Sequence, residues 1–263
     1  MSNSAYGQKA PAEARAMMRG GVNAPTAGAC DGYVQANLVV LPRTFAYDFL
    51  VFCYRNPKPC PLLDVTDQGS PETRLARGAD LRTDLPKYRV YENGAFAREV
   101  TAIADYWSHD LVAFLLGCSY TFEAALLAAG VPVRHIEQGT IVPMYTTSIW
   151  CVPAGVFAGP IVATMRPIPH ELVPRAVQVT SRYPNVHGAP IHIGDPMRIG
   201  VDLERTEYGG QVSALREGET PVFWACGVTP QAVAIASRIP FMITHAPGHM
   251  FITDVRNEHL AAF

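Results

Sequence analysis

Two stretches of the chain run from a buried strand directly into a helix through the same type of turn. The strands are LVAFLLG (111–117) and VFWA (222–225), and each is followed by a Cys-x-x-Thr sequence. Apolar runs rich in β-branched and aromatic residues are typical of buried strands. Thr229 followed by Pro230 is typical of a helix N-cap with proline at the first helical position. This repeated strand–turn–helix pattern restricts the fold more than any other feature.

The order of elements around these turns predicts the fold class. After VFWA come a helix and the strand FMITH, which together read as a β–α–β unit, whereas residues 131–220 read as short strands punctuated by proline and glycine. We therefore predict an α/β fold: a layered, mostly parallel sheet with helices on both faces, interrupted by a smaller α+β sandwich domain. The α/β domain is expected to be discontinuous, from residues 1–130 plus 221–263, with 131–220 as the inserted domain. Parallel strands start their helices from one edge, so both Cys-x-x-Thr turns should face a common pocket.

Composition excludes several functional classes. The 263-residue chain is 49% hydrophobic and 17% charged, with a formal charge of −2, so no basic surface for nucleic acid is expected. No run approaches the ~18 apolar residues of a membrane helix. The six cysteines form no C-x-x-C pair, which favours reduced thiols in a cytoplasmic protein. No metal ligand cluster is visible, so no metal or other cofactor is expected. A homo-oligomer remains one of the open alternatives.

The two turns are the first candidates for a functional site. A helix N-terminus offers backbone N–H groups and the positive end of a dipole to an anion. Cys118 and Cys226 are therefore candidate catalytic residues, although a free cysteine more often packs as a small hydrophobe. The expected ligand is a small-molecule carboxylate. Its predicted binding residues at the turns are Ser119, Thr121, Gly227, Thr229 and Gln231.

Other candidates depend on which way their side chains face. Glu123, in the first turn of a predicted helix, is either a catalytic acid or base or only a complement to the helix dipole. His245 ends a predicted strand and is either catalytic or structural. Arg166 follows an apolar strand and fits either a substrate carboxylate or a buried ion pair. The remaining predicted substrate-binding residues are Asn37, Tyr145 and His187.

Several long segments of the sequence resemble the D-glutamate cyclase family. They include PTAGACDGYVQANLVVLP, FLLGCSYTFEAAL, HGAPIHIGDP, PVFWACGVTPQ and THAPGHMFITD, and the similarity runs from about Gly21 to Asp254. The resemblance implies an α/β fold with a second domain and a hydro-lyase activity, the conversion of D-glutamate to 5-oxo-D-proline and water. Thr146 and Gly210 stand where the family commonly has an arginine and an acidic residue.

Three classes of function follow from these observations. The first is a lyase, EC 4.2.1 type, that dehydrates D-glutamate or a related small carboxylic acid within amino acid metabolism. The second is a thiol-dependent hydrolase or amidase that uses Cys118 or Cys226 with His245. The third is a non-catalytic protein that binds a small carboxylate. Cyclisation suits the paired turns, because holding a folded substrate and stabilising an oxyanion would supply most of the acceleration.

Overall fold

The computed structural model describes residues 5–262. Over this range the chain forms α-helices α1 to α6, at Pro11–Arg19, Arg43–Arg55, Tyr120–Ala128, Arg134–Glu137, Val173–Ser181 and Thr229–Ala236. Strands β1 to β11 lie at Tyr33–Pro42, Leu62–Val65, Tyr88–Glu92, Ala95–Val100, Leu111–Gly117, Met144–Trp150, Pro160–Pro169, His192–Ile193, Glu219–Ala225, Phe241–His245 and Phe251–Arg256. Short 3-10 helices lie at Ala104–Tyr106, His170–Leu172, Pro184–Val186, Pro196–Ile199 and Asn257–Leu260.

The strands form two sheets, and within each sheet the neighbouring strands pair in antiparallel orientation. A seven-stranded sheet has the order β2-β5-β1-β10-β3-β4, with β11 also paired to β1. A four-stranded sheet has the order β6-β7-β9-β8. The mixed α/β class is confirmed, but the prediction of a mostly parallel sheet was wrong.

The error has a topological cause. Strand β9 was expected in the same sheet as β5, yet it pairs with β7 and β8 in the smaller sheet. Helix α6 then leads from β9 to β10 of the larger sheet, so it connects two sheets and is not a crossover within one. A strand–helix–strand pattern is the same in both cases. The expected boundary at residue 221 is therefore not where the sheets divide.

Two boundaries between elements follow from local sequence rules. The Asn93-Gly94 pair turns β3 into β4 with both residues at positive φ, 51° and 75°, as the hairpin signal required. Helix α2 ends at Arg55, immediately before Asn56-Pro57, because proline disfavours helical geometry in the preceding residue.

Both faces of the larger sheet are buried. On one face, Val39 and Phe114 pack with Phe49 of α2 and with Val233 of α6. On the other face, Leu38 and Leu115 pack against side chains of the segment between β2 and β3, such as Leu81. Helices α3 and α5 pack with Trp224 of β9 in a separate cluster. The helices α2 and α6 therefore share one face of the larger sheet, which brings β9 and its turn close to β1 and β5. No helix in residues 5–262 is long and apolar enough to span a bilayer.

Candidate active site

The two Cys-x-x-Thr turns have the same geometry. Cys118 follows β5 and Cys226 follows β9, and both side chains are buried. Each sulfur accepts the backbone N–H two residues further on, from Tyr120 and Val228. Each cysteine carbonyl accepts the N–H three residues further on, at 3.1 Å and 3.0 Å. Each cysteine thus closes the start of the helix that follows it.

These contacts correct the predicted capping. The N-cap residues are Ser119 for α3 and Val228 for α6, and neither forms a side-chain cap. Thr229 is the first helical residue, and its hydroxyl donates to the carbonyl of Cys226 at 2.8 Å. Within the described part of the chain, the N–H groups of Ser119 and Gly227 have no backbone or side-chain acceptor. The backbone N–H groups left without an acceptor at the two turns are therefore those of the residues directly after each cysteine.

Asn37 on β1 connects the two turns. Its Nδ2 donates to the carbonyl of Gly117 at 2.6 Å, immediately before Cys118. A Cβ atom built on Gly227 would lie 1.9 Å from the same Nδ2, so the amide of Asn37 packs directly against the glycine backbone. The turns are neighbours, as expected, but they reach each other from two different sheets across β1.

A buried ion pair lies beside the turns. Arg166 of β7 is fully buried, and its guanidinium donates to Oε1 of Glu123 from Nε at 3.1 Å and also from Nη2. It also donates to the hydroxyls of Ser119 and Thr164, each at 3.1 Å. The guanidinium also lies 5.3–5.4 Å from the ring centroids of Phe122 and Trp224. This is the ion pair considered from the sequence, and it links α3 to the smaller sheet.

The ion pair fixes the charge of Glu123. Burial alone would raise the pKa of this carboxyl group, but the electrostatic attraction of His135 and Arg166, together with the hydrogen bonds from Arg166, outweighs burial and lowers the pKa. Glu123 is therefore an ionised carboxylate at neutral pH. Its geometry suits a positioning residue that holds Arg166 and α3, and an ionised carboxylate cannot act as a general acid.

The pKa values of the two thiols are shifted in the opposite direction. Burial raises the pKa of both, that of Cys226 to about 11, and the charge of Arg166 offsets this only in part. The negative charge that Cys226 would carry as a thiolate also raises the pKa of Cys118. Both groups are neutral S–H donors at pH 7.

Two residues near the turns were missed from the sequence. His135 on α4 places Nε2 at 3.0 Å from Oε1 of Glu123, although the ring does not align for a linear hydrogen bond. Tyr120 stacks on the same imidazole at 5.7 Å between centroids. Glu123 lies in α3 and His135 lies in α4, and the two side chains meet only because these helices pack together in the folded chain. No sequence spacing signals this contact.

The two histidines predicted from the sequence lie in different surroundings. His187 hydrogen-bonds the carbonyl of Lys58 through Nδ1 at 2.8 Å, and burial lowers its pKa to about 4. His245 contacts the backbone of Leu38, and burial lowers its pKa to about 3. Both imidazoles are neutral at pH 7. Among residues 5–262 neither one hydrogen-bonds a thiol, so the structure does not bring His245 together with Cys118 or Cys226.

Several predicted binding residues make structural contacts. The hydroxyl of Thr121 accepts the N–H of Gln35 at 3.2 Å. Gln231 accepts from Tyr91 at 2.8 Å and donates to the carbonyl of His245 at 3.0 Å. The hydroxyl of Tyr145 donates to the carbonyl of Leu203 at 3.1 Å, on the face of β6 opposite to the side chains that pack with Cys226. These three residues hold elements together.

A cavity lies beside α4 and the loop that follows it. It has a volume of about 670 Å³ and is lined by residues that include Ala27, His135, Thr140 and Ile141. Ala27 also packs with Cys118, and Ile141 packs with Cys226. Neither cysteine lines the cavity, but two of its lining residues pack in the hydrophobic clusters that contain Cys118 and Cys226. The described residues contain no cluster of His, Cys, Asp and Glu that could hold a metal ion.

Three known proteins are similar to this chain over nearly its whole length, and all three are named as hydro-lyases. A hydro-lyase of Thermoanaerobacter sp. strain X514, named putative, is 62% identical over 259 residues, 97% of each chain. A protein of Stutzerimonas stutzeri with the same name is 61% identical over 99% of each chain. Putative hydro-lyase YcsI of Bacillus subtilis is 58% identical over 96% of this chain and 99% of its own.

Among solved structures, a nitrogen repressor-like protein from Methanococcus jannaschii aligns over 92% of this chain and 97% of its own. Its sequence identity is 11% and its TM-score is 0.38.

The relatives' names confirm the expected enzyme class, a carbon–oxygen lyase of the hydro-lyase type. The sequence profile described as D-glutamate cyclase matches residues 112–254, a range that contains both cysteine turns and the ion pair. The chain belongs to the D-glutamate cyclase family.

Proposed function

We propose that the protein dehydrates D-glutamate, or a closely related small carboxylic acid, to a cyclic amide such as 5-oxo-D-proline. The observation that carries the proposal is the meeting of two cysteine turns at Asn37, each with a free N–H and a neutral thiol. Family membership supports the same reaction class.

The proposed reaction balances without an external reagent. The amine nitrogen of glutamate attacks the γ-carboxyl carbon, a C–N bond forms, and one C–O bond breaks. Two protons leave the nitrogen and end on the departing oxygen, which becomes water. By holding the substrate in a folded conformer, the site would keep the amine at a high effective concentration beside the γ-carboxyl carbon.

The residues of the turns suit the requirements of this step. The N–H groups of Ser119 and Gly227 would hold carboxylate oxygens or stabilise the developing oxyanion. A neutral thiol would donate a proton to the departing oxygen and recover one from the substrate amine. The guanidinium of Arg166 would stabilise the thiolate that forms in between, since its charge lowers the pKa of both sulfurs.

The alternatives have less support. A thiol-dependent hydrolase needs a thiolate or a thiol–imidazole pair. In the described residues each sulfur accepts only a backbone N–H, and its pKa is raised. A carboxylate-binding protein without catalysis would use the same N–H groups, so only an activity measurement separates it from a lyase.

The test is to incubate the purified protein with D-glutamate or L-glutamate and to follow 5-oxoproline by chiral chromatography with mass spectrometry. We expect product from the D-enantiomer, and a loss of at least ~100-fold in kcat for Cys118→Ala and Cys226→Ala. Cys151→Ala, a buried cysteine in the core between the sheets, is the matched control. If neither enantiomer reacts, the substrate assignment fails; binding without turnover would favour the third class.

A further inference from the structure

Helix α2 carries an apolar stripe on its outer face. Its buried residues pack in the core, whereas Tyr47, Leu50 and Tyr54 are exposed, with 75%, 39% and 86% of their surface accessible. Residues at positions i, i+3 and i+7 lie on one side of a helix, so these three side chains form a single stripe. The outer face of a helix with one buried face is normally polar. The stripe is therefore an uncovered apolar surface.

The segment that joins β6 to β7 extends this surface. It packs along the flank of α2, where the side-chain amide of Asn56 donates to the carbonyl of Val152 at 2.8 Å and accepts its N–H at 2.7 Å. Two helical turns earlier, a Cβ atom built on Gly155 would lie 1.9 Å from Oδ2 of Asp48. The helix and the segment thus form one continuous surface. We define the α2 patch as their six exposed apolar residues, Tyr47, Leu50, Tyr54, Trp150, Val152 and Val156.

The α2 patch has the composition of a protein interface. Of the four exposed aromatic side chains in residues 5–262, three belong to the patch: Tyr47, Tyr54 and Trp150. Residues 150–159 contain no charged side chain, although Trp150, Val152 and Val156 are exposed. The cores of protein interfaces are enriched in tyrosine and tryptophan and depleted of charge. A protein partner therefore fits this surface better than a nucleic acid or an anionic membrane, both of which attract basic residues.

The exposed area matches what a stable dimer needs. At ~150–250 Å² for a whole aromatic residue and ~60–120 Å² for an aliphatic side chain, the α2 patch exposes about 600 Å². A standard-size interface buries about 800 Å² per partner, of which a little over half, roughly 450 Å², is apolar. The patch alone therefore supplies the apolar part of such an interface.

The arrangement of the patch is self-complementary. Tyr47 and Tyr54 are two turns apart, with Leu50 between them. A two-fold axis near Leu50 would set two copies of α2 antiparallel, with Tyr47 of each copy beside Tyr54 of the other. The same axis would bring Asp48 of each copy level with Arg55 of the other. These two side chains have opposite charges, and neither forms an ion pair within residues 5–262, so charge favours a second copy as the partner.

We propose that the α2 patch is the interface of a two-fold symmetric dimer of this chain, with Leu50 next to the axis. The tyrosines and Trp150 would be its anchors, because large aromatic side chains bury much area at a small entropic cost. Asp48 and Arg55 would lie at the rim.

Analytical ultracentrifugation of the full chain tests the proposal. We expect twice the mass of one chain at a concentration of ~100 µM, because interfaces of this size have Kd values of ~1 µM or less. Tyr54→Glu places a charge in the interface and should weaken the dimer at least ~10-fold. The side chain of Tyr54 is exposed in the single chain, so the circular dichroism spectrum should not change. Met197→Glu, at an exposed site outside the patch, is the control and should leave the dimer intact.

Leu50→Cys tests the position of the axis. The native cysteines are all buried, so mild oxidation of this variant with copper phenanthroline should give a disulfide-linked dimer on a non-reducing gel. Met197→Cys should give none. A wild-type chain that is monomeric at ~100 µM would overturn the proposal. A dimer that Tyr54→Glu does not weaken and Leu50→Cys does not cross-link would also overturn it, because the copies would then meet at another face.

Discussion

Gly227→Ala should damage both the stability of the protein and its site, because Asn37 occupies the space that a methyl group would need. A Cβ at this position would lie 1.9 Å from Nδ2 and 2.2 Å from Cγ of Asn37. Distances this short require the amide to move. Overpacking in a rigid site costs about 1–3 kcal/mol. Losing the 2.6 Å hydrogen bond from Asn37 to the carbonyl of Gly117 adds about 1 kcal/mol.

The expected loss is therefore about 2–4 kcal/mol in the free energy of unfolding, and a fall in Tm of roughly 4–16 °C for a chain of this length. Thermal unfolding by circular dichroism and calorimetric titration with D-glutamate measure the two effects. Gly20→Ala is the matched control, since its Cβ would have no neighbour closer than 3.3 Å.

A double-mutant cycle tests the cause. In an Asn37→Ala background the clash is gone, so Gly227→Ala should cost much less than it does in the wild type, with a coupling energy of at least ~1 kcal/mol. An equal cost in both backgrounds would refute the contact as the cause. A Gly227→Ala variant with wild-type Tm and affinity would refute the close approach itself.

Three further predictions follow from the buried titratable side chains. Arg166→Met should lower the free energy of unfolding by about 3–5 kcal/mol, because Glu123 would lose its guanidinium partner in the interior, and Glu123→Gln added to it should recover part of the loss in urea titrations. The native pKa values of His187 and His245, lowered to about 4 and about 3, mean that their stability contribution is complete above about pH 6.5 and declines as the pH falls towards the native values. Urea titrations should show ~1.4 kcal/mol lost per pH unit for each histidine below pH 6.5, and His245→Gln should reduce the slope; a flat profile would contradict the buried neutral state. At pH 7.5 iodoacetamide should label Cys226 roughly 100-fold more slowly in the folded protein than in urea, and fast labelling by peptide mapping would favour the thiol-hydrolase alternative.

The sequence predicts individual helices and strands, but it does not predict which strands pair with each other. Strand β5, helix α2 and the Asn93-Gly94 hairpin all follow from local rules of periodicity, proline and turn residues. The pairing of β9 with β7 depends on which sheet α6 returns to, and no local signal encodes that choice. A parallel sheet was therefore a reasonable but wrong prediction.

The candidate site, too, could be predicted from the sequence only in part. The two cysteine turns were visible as a repeated pattern, and their proximity was expected, but the residue that joins them was only one of several candidates. Asn37 reaches Gly117 and Gly227 because β1 lies between the two turns in the folded chain. His135 was not anticipated, since its contact with Glu123 depends on how α4 packs on α3.

The proposed function requires the ligand carboxylate to bind where the turns of Cys118 and Cys226 meet. The most direct measurement is the amide NMR spectrum of the ¹⁵N-labelled protein during titration with D-glutamate, with the Ser119 and Gly227 signals assigned. We expect these two amide protons to shift downfield together and to saturate at one common ligand concentration, since both would donate to the bound carboxylate. Saturable shifts elsewhere in the protein, with both of these signals unchanged, would contradict it.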